Sequence, residues 1–211
     1  MWALYEVAFA GQDRAIGELV DGLKKAGLWN ETLFVVTGDV SVPSDSRAPF
    51  GDGEDLSEEL LALPLVVHFP GGSLAGTKVQ VPTSVVDITR SALDALHLPV
   101  PEGFEGMDLF DVASGATIPG GRALFATLGP RYSLRLGDFV LSGSDGKAPS
   151  LCDAAADPNC EIERAEKMPR AASLLFRMAY DAETAAEQQR HAREPATVDA
   201  PTAAALQVWG E

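Results

Sequence analysis

The fold class that this sequence predicts is α/β: a helix-and-strand layer, then a small antiparallel α+β unit and a helical tail. Three observations carry that reading. DRAIGELVDGLKKAG has the spacing of an amphipathic helix and runs through a short turn into LFVVTGD. Helix, turn and apolar strand make half of an α/β repeat. PLVVHFPGG gives a second apolar run of the same kind. From Arg122 onward the pattern changes to short alternating segments broken by Gly and Pro, as in a small antiparallel sheet. The expected division is residues 1–120 for the α/β part and 121–211 for the small sheet with its tail.

The first helix places Ile16, Leu19, Val20 and Leu23 on one stripe, with Asp13, Arg14, Glu18, Asp21 and Lys24 on the other faces. Gly27 supplies its stop. Leu33 to Val36 form a continuous apolar run, which predicts a strand covered on both faces, as in a parallel sheet. Ser41 to Gly53 read as a polar loop, DLSEELLAL as a short helix and PLVVHFPGG as a strand ended by Pro70-Gly71-Gly72. KVQV predicts a short strand, and Val86, Leu93 and Leu96 an amphipathic helix. LPVPEGFEGMDLFDV is too dense in Pro and Gly for either regular element. RALFATL, RYSLRLG and DFVLSGSDG are the antiparallel strands. The Ala/Glu/Arg-rich tail from Glu161 is helical, with interruptions near Pro169 and Pro195.

Composition narrows function by exclusion. Of 211 residues, 46% are hydrophobic and 22% charged, so a packed core forms and wholesale disorder is excluded. Lys+Arg number 16 against Asp+Glu 31, a net charge of −15. That balance argues against tracking nucleic-acid phosphates or docking on an anionic membrane. No apolar run approaches the roughly 20 residues of a membrane span, and MWALYEVAFAGQDR has no signal-peptide pattern.

Asp39 is the leading candidate site residue. It closes the apolar strand LFVVTGD, and ligands bind beyond the carboxyl ends of strands in open α/β sheets. A carboxylate there suits a hard divalent cation, although Asp after Gly also serves as a plain turn residue. His68 inside a strand reads as a satisfied core residue, His97 as a cation at a helix end, and His191 as part of a charged tail. No G-x-S-x-G, G-x-G-x-x-G or Walker pattern occurs. Glu58 and Glu59 are adjacent, so on a helix they point apart and read as a solvated face. The spacing of Cys152 and Cys160 allows a short-loop disulfide in an oxidising compartment; two thiols without a neighbouring His make a poor zinc site.

Several stretches, in order, resemble the sulfatase family within the alkaline-phosphatase-like superfamily. YEVAFAGQDRAIGELVDGLKKAGLWNETLFVVTGD is similar to the family's helix-and-strand unit ending in S/T-D-H-G or G-D-H-G. GDGEDLSEELLALPLVVHFPGG resembles H-G-x-x-L-Y-E-E…V-P-L…P-G, and VPTSVVDITRSALDALHLPVPEGFEGMDLF resembles V-x-x-V-D-x-x-P-T-L-L-D-L-x-G-L-x-x-P…G-x-S-L. LRLGDFVLSGSDGKAPSLCDAAADP is similar to R-x-G-D-Y-K-L-I…L-Y-D-L-x-x-D-P, and LQVWGE to L-x-x-L-G-Y. The resemblance implies the C-terminal part of an alkaline-phosphatase-like α/β domain. It also implies sulfate ester hydrolysis assisted by calcium or magnesium, and a periplasmic or extracellular setting.

Residue by residue, the resemblance divides. The family's oxidised Cys or Ser nucleophile in C-x-P-S-R and its early Asp-Asp metal pair belong to the N-terminal half of the pattern, which this chain does not contain; Ser44-Asp45-Ser46-Arg47 has no upstream Cys in register. Asp39 matches the late metal-binding Asp, but Val40 and Ser41 follow where the family has His or Asn and then Gly. Asp52 stands where a basic residue is usual, and Val140 replaces the Lys of D-Y-K-L. Asp39 with Asp52 as a reshaped cation site is a further reading. The expectation is a chain inactive by itself, completed by missing sequence, with a non-catalytic binding or scaffold protein as the alternative. Completed by the missing N-terminal region, the chain would take a sulfate ester as its substrate class; in the alternative, a protein partner would cover the exposed sheet.

Overall fold

The computed structural model describes residues 2–39, 56–116 and 121–192. Val40, Ser41, the Ser44–Arg47 stretch, Asp52 and Pro195 therefore lie outside the described residues. Helix α1 spans Trp2–Lys25 and ends on Lys24 and Lys25, whose charges complement the helix dipole. Gly27 then takes a positive φ of 73°, which an L side chain adopts only at a cost, and turns the chain. A 3-10 turn at Trp29–Glu31 leads into strand β1, Phe34–Thr37. Helix α2 is Glu58–Leu61 and strand β2 is Leu65–His68.

Strand β1 pairs with β2 in an antiparallel ladder, with Phe34 opposite His68 and Thr37 opposite Leu65. The parallel arrangement expected for LFVVTGD is thus corrected. An unbroken apolar run reports that both faces meet apolar surroundings, and says nothing about strand direction. Here the faces are only partly covered, and Val66 is 65% exposed. The short strand expected at KVQV does not form: residues 78–81 join no ladder.

Helix α3, Val85–Ala95, carries two buried polar residues on one face, Asp87 and Ser91. Their spacing of four brings them together at the helix surface. Helix α4, Leu109–Ala113, falls in the stretch expected to be a loop. Asp108 caps it by accepting the Phe110 N–H at 3.0 Å, and the Ser91 hydroxyl accepts the Leu109 N–H at 2.8 Å. Part of the signal for this helix therefore comes from a residue 18 positions away.

Strands β3 (Ala123–Leu128), β4 (Arg131–Leu136), β5 (Phe139–Ser144) and β6 (Ser150–Asp153) form an antiparallel sheet in sequential order. Leu134, Leu141 and Leu151 stand in one cross-strand row and are buried. Helix α5, Pro169–Ala192, lays Leu175 and Ala179 over this row. Burying each such leucine contributes about 1.5–3 kcal/mol. By the two-residue period of a strand, Ser133, Arg135, Val140 and Cys152 occupy the opposite face. Ser133, Val140 and Cys152 are buried as well, so both faces of the sheet are covered near its centre. Cys152 is joined to Cys160 by a disulfide that fastens the loop after β6.

Candidate functional site

Asp39 lies two residues beyond the carboxyl end of β1 and is exposed. It borders a cavity of about 320 Å³ together with Thr37, Glu58, Ser84, Ser133 and Arg135. The cavity thus gathers the end of β1, the start of α2, the N-terminus of α3 and one face of the β3–β6 sheet. Its floor is charged. The Arg135 guanidinium pairs with Glu58, and Arg135 Nε donates to the Gly137 carbonyl at 3.0 Å. Glu58, expected on a solvated face, is instead a partly buried acceptor.

The same ion pair borders a second cavity of about 680 Å³, which extends between Leu65, Val67, Phe69 and the 77–83 segment. Arg135 and Glu58 therefore stand between the two spaces. An arginine whose donors are already engaged by a carboxylate and a carbonyl holds geometry more than it offers a free positive charge.

Below the N-terminus of α3 is a second polar cluster. Asp87 is fully buried and accepts the backbone N–H of Ser84 at 2.7 Å, the reciprocal half of a capping box, and that of Met107 at 2.8 Å. Arg122 forks onto both carboxylate oxygens, with Nη2 2.6 Å from Oδ1. The Ser91 hydroxyl donates to the Asp87 carbonyl at 2.8 Å. These groups tie α3, the approach to α4 and the start of β3 into one joint. The S-x-x-D spacing of Ser84 and Asp87 is the sequence signal that could have found the cap. Nothing local signals Arg122, 35 residues away.

The remaining candidates are dispersed. His68 stacks on Trp29 with ring centroids 3.8 Å apart, and its Nε2 lies 3.1 Å from the Trp29 carbonyl, so it is satisfied by packing. His97 follows α3 with φ of 54°, and His191 lies in the last turn of α5. Val140 is buried in β5, only 3% exposed, and lines neither of the two cavities around Arg135.

Calcium takes six to eight oxygen ligands, and magnesium an octahedron. Among the described residues no group of three or more His, Cys, Asp or Glu side chains is placed to hold a cation. Asp39 offers one carboxylate, and Glu58 is committed to Arg135. The described residues therefore do not fit a complete divalent-cation site.

Residues 4–98, which contain α1, β1, Asp39, β2 and α3, match the family model described as Sulfatase. This stretch is similar to the sulfatase family. Across more of the chain, arylsulfatase K of Bos taurus is 26% identical over 191 residues, which cover 82% of this chain and 35% of that sulfatase. A protein solved in complex with its substrate D-glucosamine-2-N,6-O-disulfate overlays 82% of this chain and 38% of its own, with TM-score 0.69 and 24% identity. The phosphonate monoester hydrolase of Agrobacterium radiobacter overlays 85% of this chain and 39% of its own, with TM-score 0.63 and 25% identity. The fold is that of the C-terminal part of an alkaline-phosphatase-like sulfatase domain. The chain spans about a third of the length of this curated sulfatase relative. Among the described residues, no helix is long and apolar enough to cross a membrane.

Proposed function

We propose that this chain is the C-terminal part of a sulfatase-type ester hydrolase. In this reading the nucleophile and most cation ligands come from sequence outside it, and the 211-residue chain turns over no sulfate ester by itself. One observation carries the reading: Asp39 stands at the carboxyl end of β1, on the lip of a cavity, inside the segment that matches the family. In the completed enzyme Asp39 would give one carboxylate to calcium or magnesium. The Arg135–Glu58 pair would hold the cavity floor against the β3–β6 sheet. The described donors do not complete that cation site, so its remaining ligands would come from elsewhere in the completed enzyme.

The division into residues 1–120 and 121–211 belongs to the same proposal. Support for it comes from the separate core that α5 forms with the β3–β6 sheet. An exported setting, periplasmic or extracellular, is supported by the Cys152–Cys160 disulfide, since such bonds persist where the surroundings oxidise.

The test is turnover of an aryl sulfate by the purified chain beside its Asp39→Ala variant, with calcium titrated calorimetrically into both. Equal background rates and equally weak calcium binding are expected. Turnover that Asp39→Ala abolishes would overturn the reading. A second reading, a binding or scaffold protein without ester hydrolysis, is favoured by Val140, which leaves no basic group at a position only 3% exposed. It predicts that a completed, longer protein is equally inactive.

A further inference from the structure

Exposed apolar side chains occur on several elements of this molecule, among them Val7 on α1, Leu96 at the end of α3 and Leu174 on α5. One stripe of α5 adds charge to that exposure. Phe176, Tyr180, Glu183 and Glu187 follow one another at steps of four, three and four. They therefore stand on one side of the helix over about 16 Å. This stripe flanks the one that buries Leu175 and Ala179 against the β3–β6 sheet. Phe176 is 45% and Tyr180 61% exposed. The inner edge of the stripe is firmly seated. The Phe176 ring tilts against Tyr132, with centroids 6.4 Å apart. Tyr132 is buried and lies across Gly143, its partner in the β4–β5 ladder, where a Cβ would come within 2.4 Å of the phenol oxygen.

Negative charge stands beside these rings. Burial first, then the charges of Glu183 and Asp145, push the Tyr132 phenol above its ordinary value, which puts both carboxylates near the aromatic group. Asp145 sits in the exposed turn after β5, where its N–H donates to the Pro130 carbonyl at 3.0 Å. Arg177 faces Asp181 at 4.0 Å, so its charge is partly matched. Exposed aromatic faces attract cations through their quadrupoles. A guanidinium suits such a surface better than an ammonium, because it stacks flat on a ring and forks onto a carboxylate.

We propose that the Phe176–Tyr180–Glu183 stripe of α5 is a docking surface for an arginine-bearing amphipathic segment of a partner protein. Charge complementarity selects this occupant. A second copy of a chain with net charge −15 would bring like charge to the stripe. Residues 193–211 of the same chain carry one arginine against three carboxylate side chains, Glu194, Asp199 and Glu211. The stripe lies outside residues 4–98 and borders neither Asp39 nor its cavity, so the proposal stands apart from the hydrolase reading.

The test is fluorescence anisotropy at physiological ionic strength, where a net charge of −15 alone holds a cation weakly. The probe is a short labelled peptide with arginine and leucine at helical spacing, titrated with the purified chain. Saturable binding with a dissociation constant below about 100 μM is expected. Tyr180→Ala should weaken it about two- to fivefold, the worth of one exposed contact between a cation and a ring, and Tyr180→Phe should keep it. Glu183→Lys should weaken it at least about tenfold. Asp13→Lys changes the net charge equally on an exposed part of α1 and should leave binding within about twofold. Tyr180 projects outside the α5 core, so its removal spares the fold, which circular dichroism checks. Four results would each overturn the proposal: no saturable binding, equal losses in Asp13→Lys and Glu183→Lys, unchanged binding by Tyr180→Ala, or equal affinity for the same peptide with lysine in place of arginine. Ester turnover by the chain, or its absence, bears only on the hydrolase reading.

Discussion

Replacing Asp87 tests how this fold holds its site. The carboxylate is fully buried, the Arg122 side chain is 13% exposed, and the two meet through a fork of two hydrogen bonds. Asp87→Ala leaves a largely buried guanidinium with no counter-charge, and it removes the acceptor for the Ser84 and Met107 N–H groups. Breaking a buried pair from one side costs about 3–5 kcal/mol, and each stranded donor adds to that. Asp87→Asn is nearly as costly, because the amide turns an N–H toward the Arg122 donors and leaves the positive charge uncompensated. Urea denaturation followed by circular dichroism measures both. In the double variant Asp87→Leu with Arg122→Met the charge is gone from both sides, so its loss should fall well short of the sum of the single losses. A cost below about 1 kcal/mol for Asp87→Asn, or strict additivity in the double variant, would refute the argument.

Three further outcomes follow from other contacts. Replacing Cys152 and Cys160 together by serine releases a loop with sequence separation 8 and should cost about 2.5 kcal/mol on the chain-entropy account, read from the same urea curves. Gly106→Ala would put a Cβ 2.5 Å from the Val86 carbonyl oxygen and 2.6 Å from the Phe104 ring, so about 1–3 kcal/mol should be lost in thermal melting. The Glu163 carboxyl is held below its ordinary range by hydrogen bonds from the backbone N–H groups of Ala165 and then Leu151. Its contribution is therefore present above the unfolded value of about 4.3 and is lost as pH falls through the lowered folded value. Glu163→Gln should flatten that part of the acid stability profile, which a pH series of melts would show.

Much of the backbone was legible because its signals are local. The 16, 19, 20, 23 stripe and Gly27 delimit the last turns of α1, and the Gly and Pro breaks after Arg122 separate strands that do pair antiparallel. What failed depends on distant partners. The direction of β1 follows from its pairing with β2, and the apolar run carries no trace of that choice. Helix α4 looked like loop because its start is fixed partly by Ser91. Strand β6 hides in a polar-looking stretch, and its Leu151 and Cys152 are buried by β5 and by covered sheet faces. The site divides likewise. Asp39 is marked by a strand end. The Glu58–Arg135 pair joins residues 77 apart, which no local pattern announces.

Two long-range ion pairs among the described residues bear on how the parts of the chain depend on each other. Asp87–Arg122 fastens α3 to the start of β3, and Glu58–Arg135 fastens α2 to the end of β4. Both pairs join the sulfatase-like segment to the antiparallel sheet. Buried or half-buried ion pairs add little net stability compared with apolar packing, but they are costly to break from one side and tolerate few geometries. Their effect is to fix where the sheet stands relative to the end of β1. Arg135 occupies the sheet face opposite the α5 core, so shifting β4 by one residue would turn it away from Glu58. The C-terminal sheet thus acts as a buttress for the Asp39 cavity, set in register by charge and made rigid by its own leucine core.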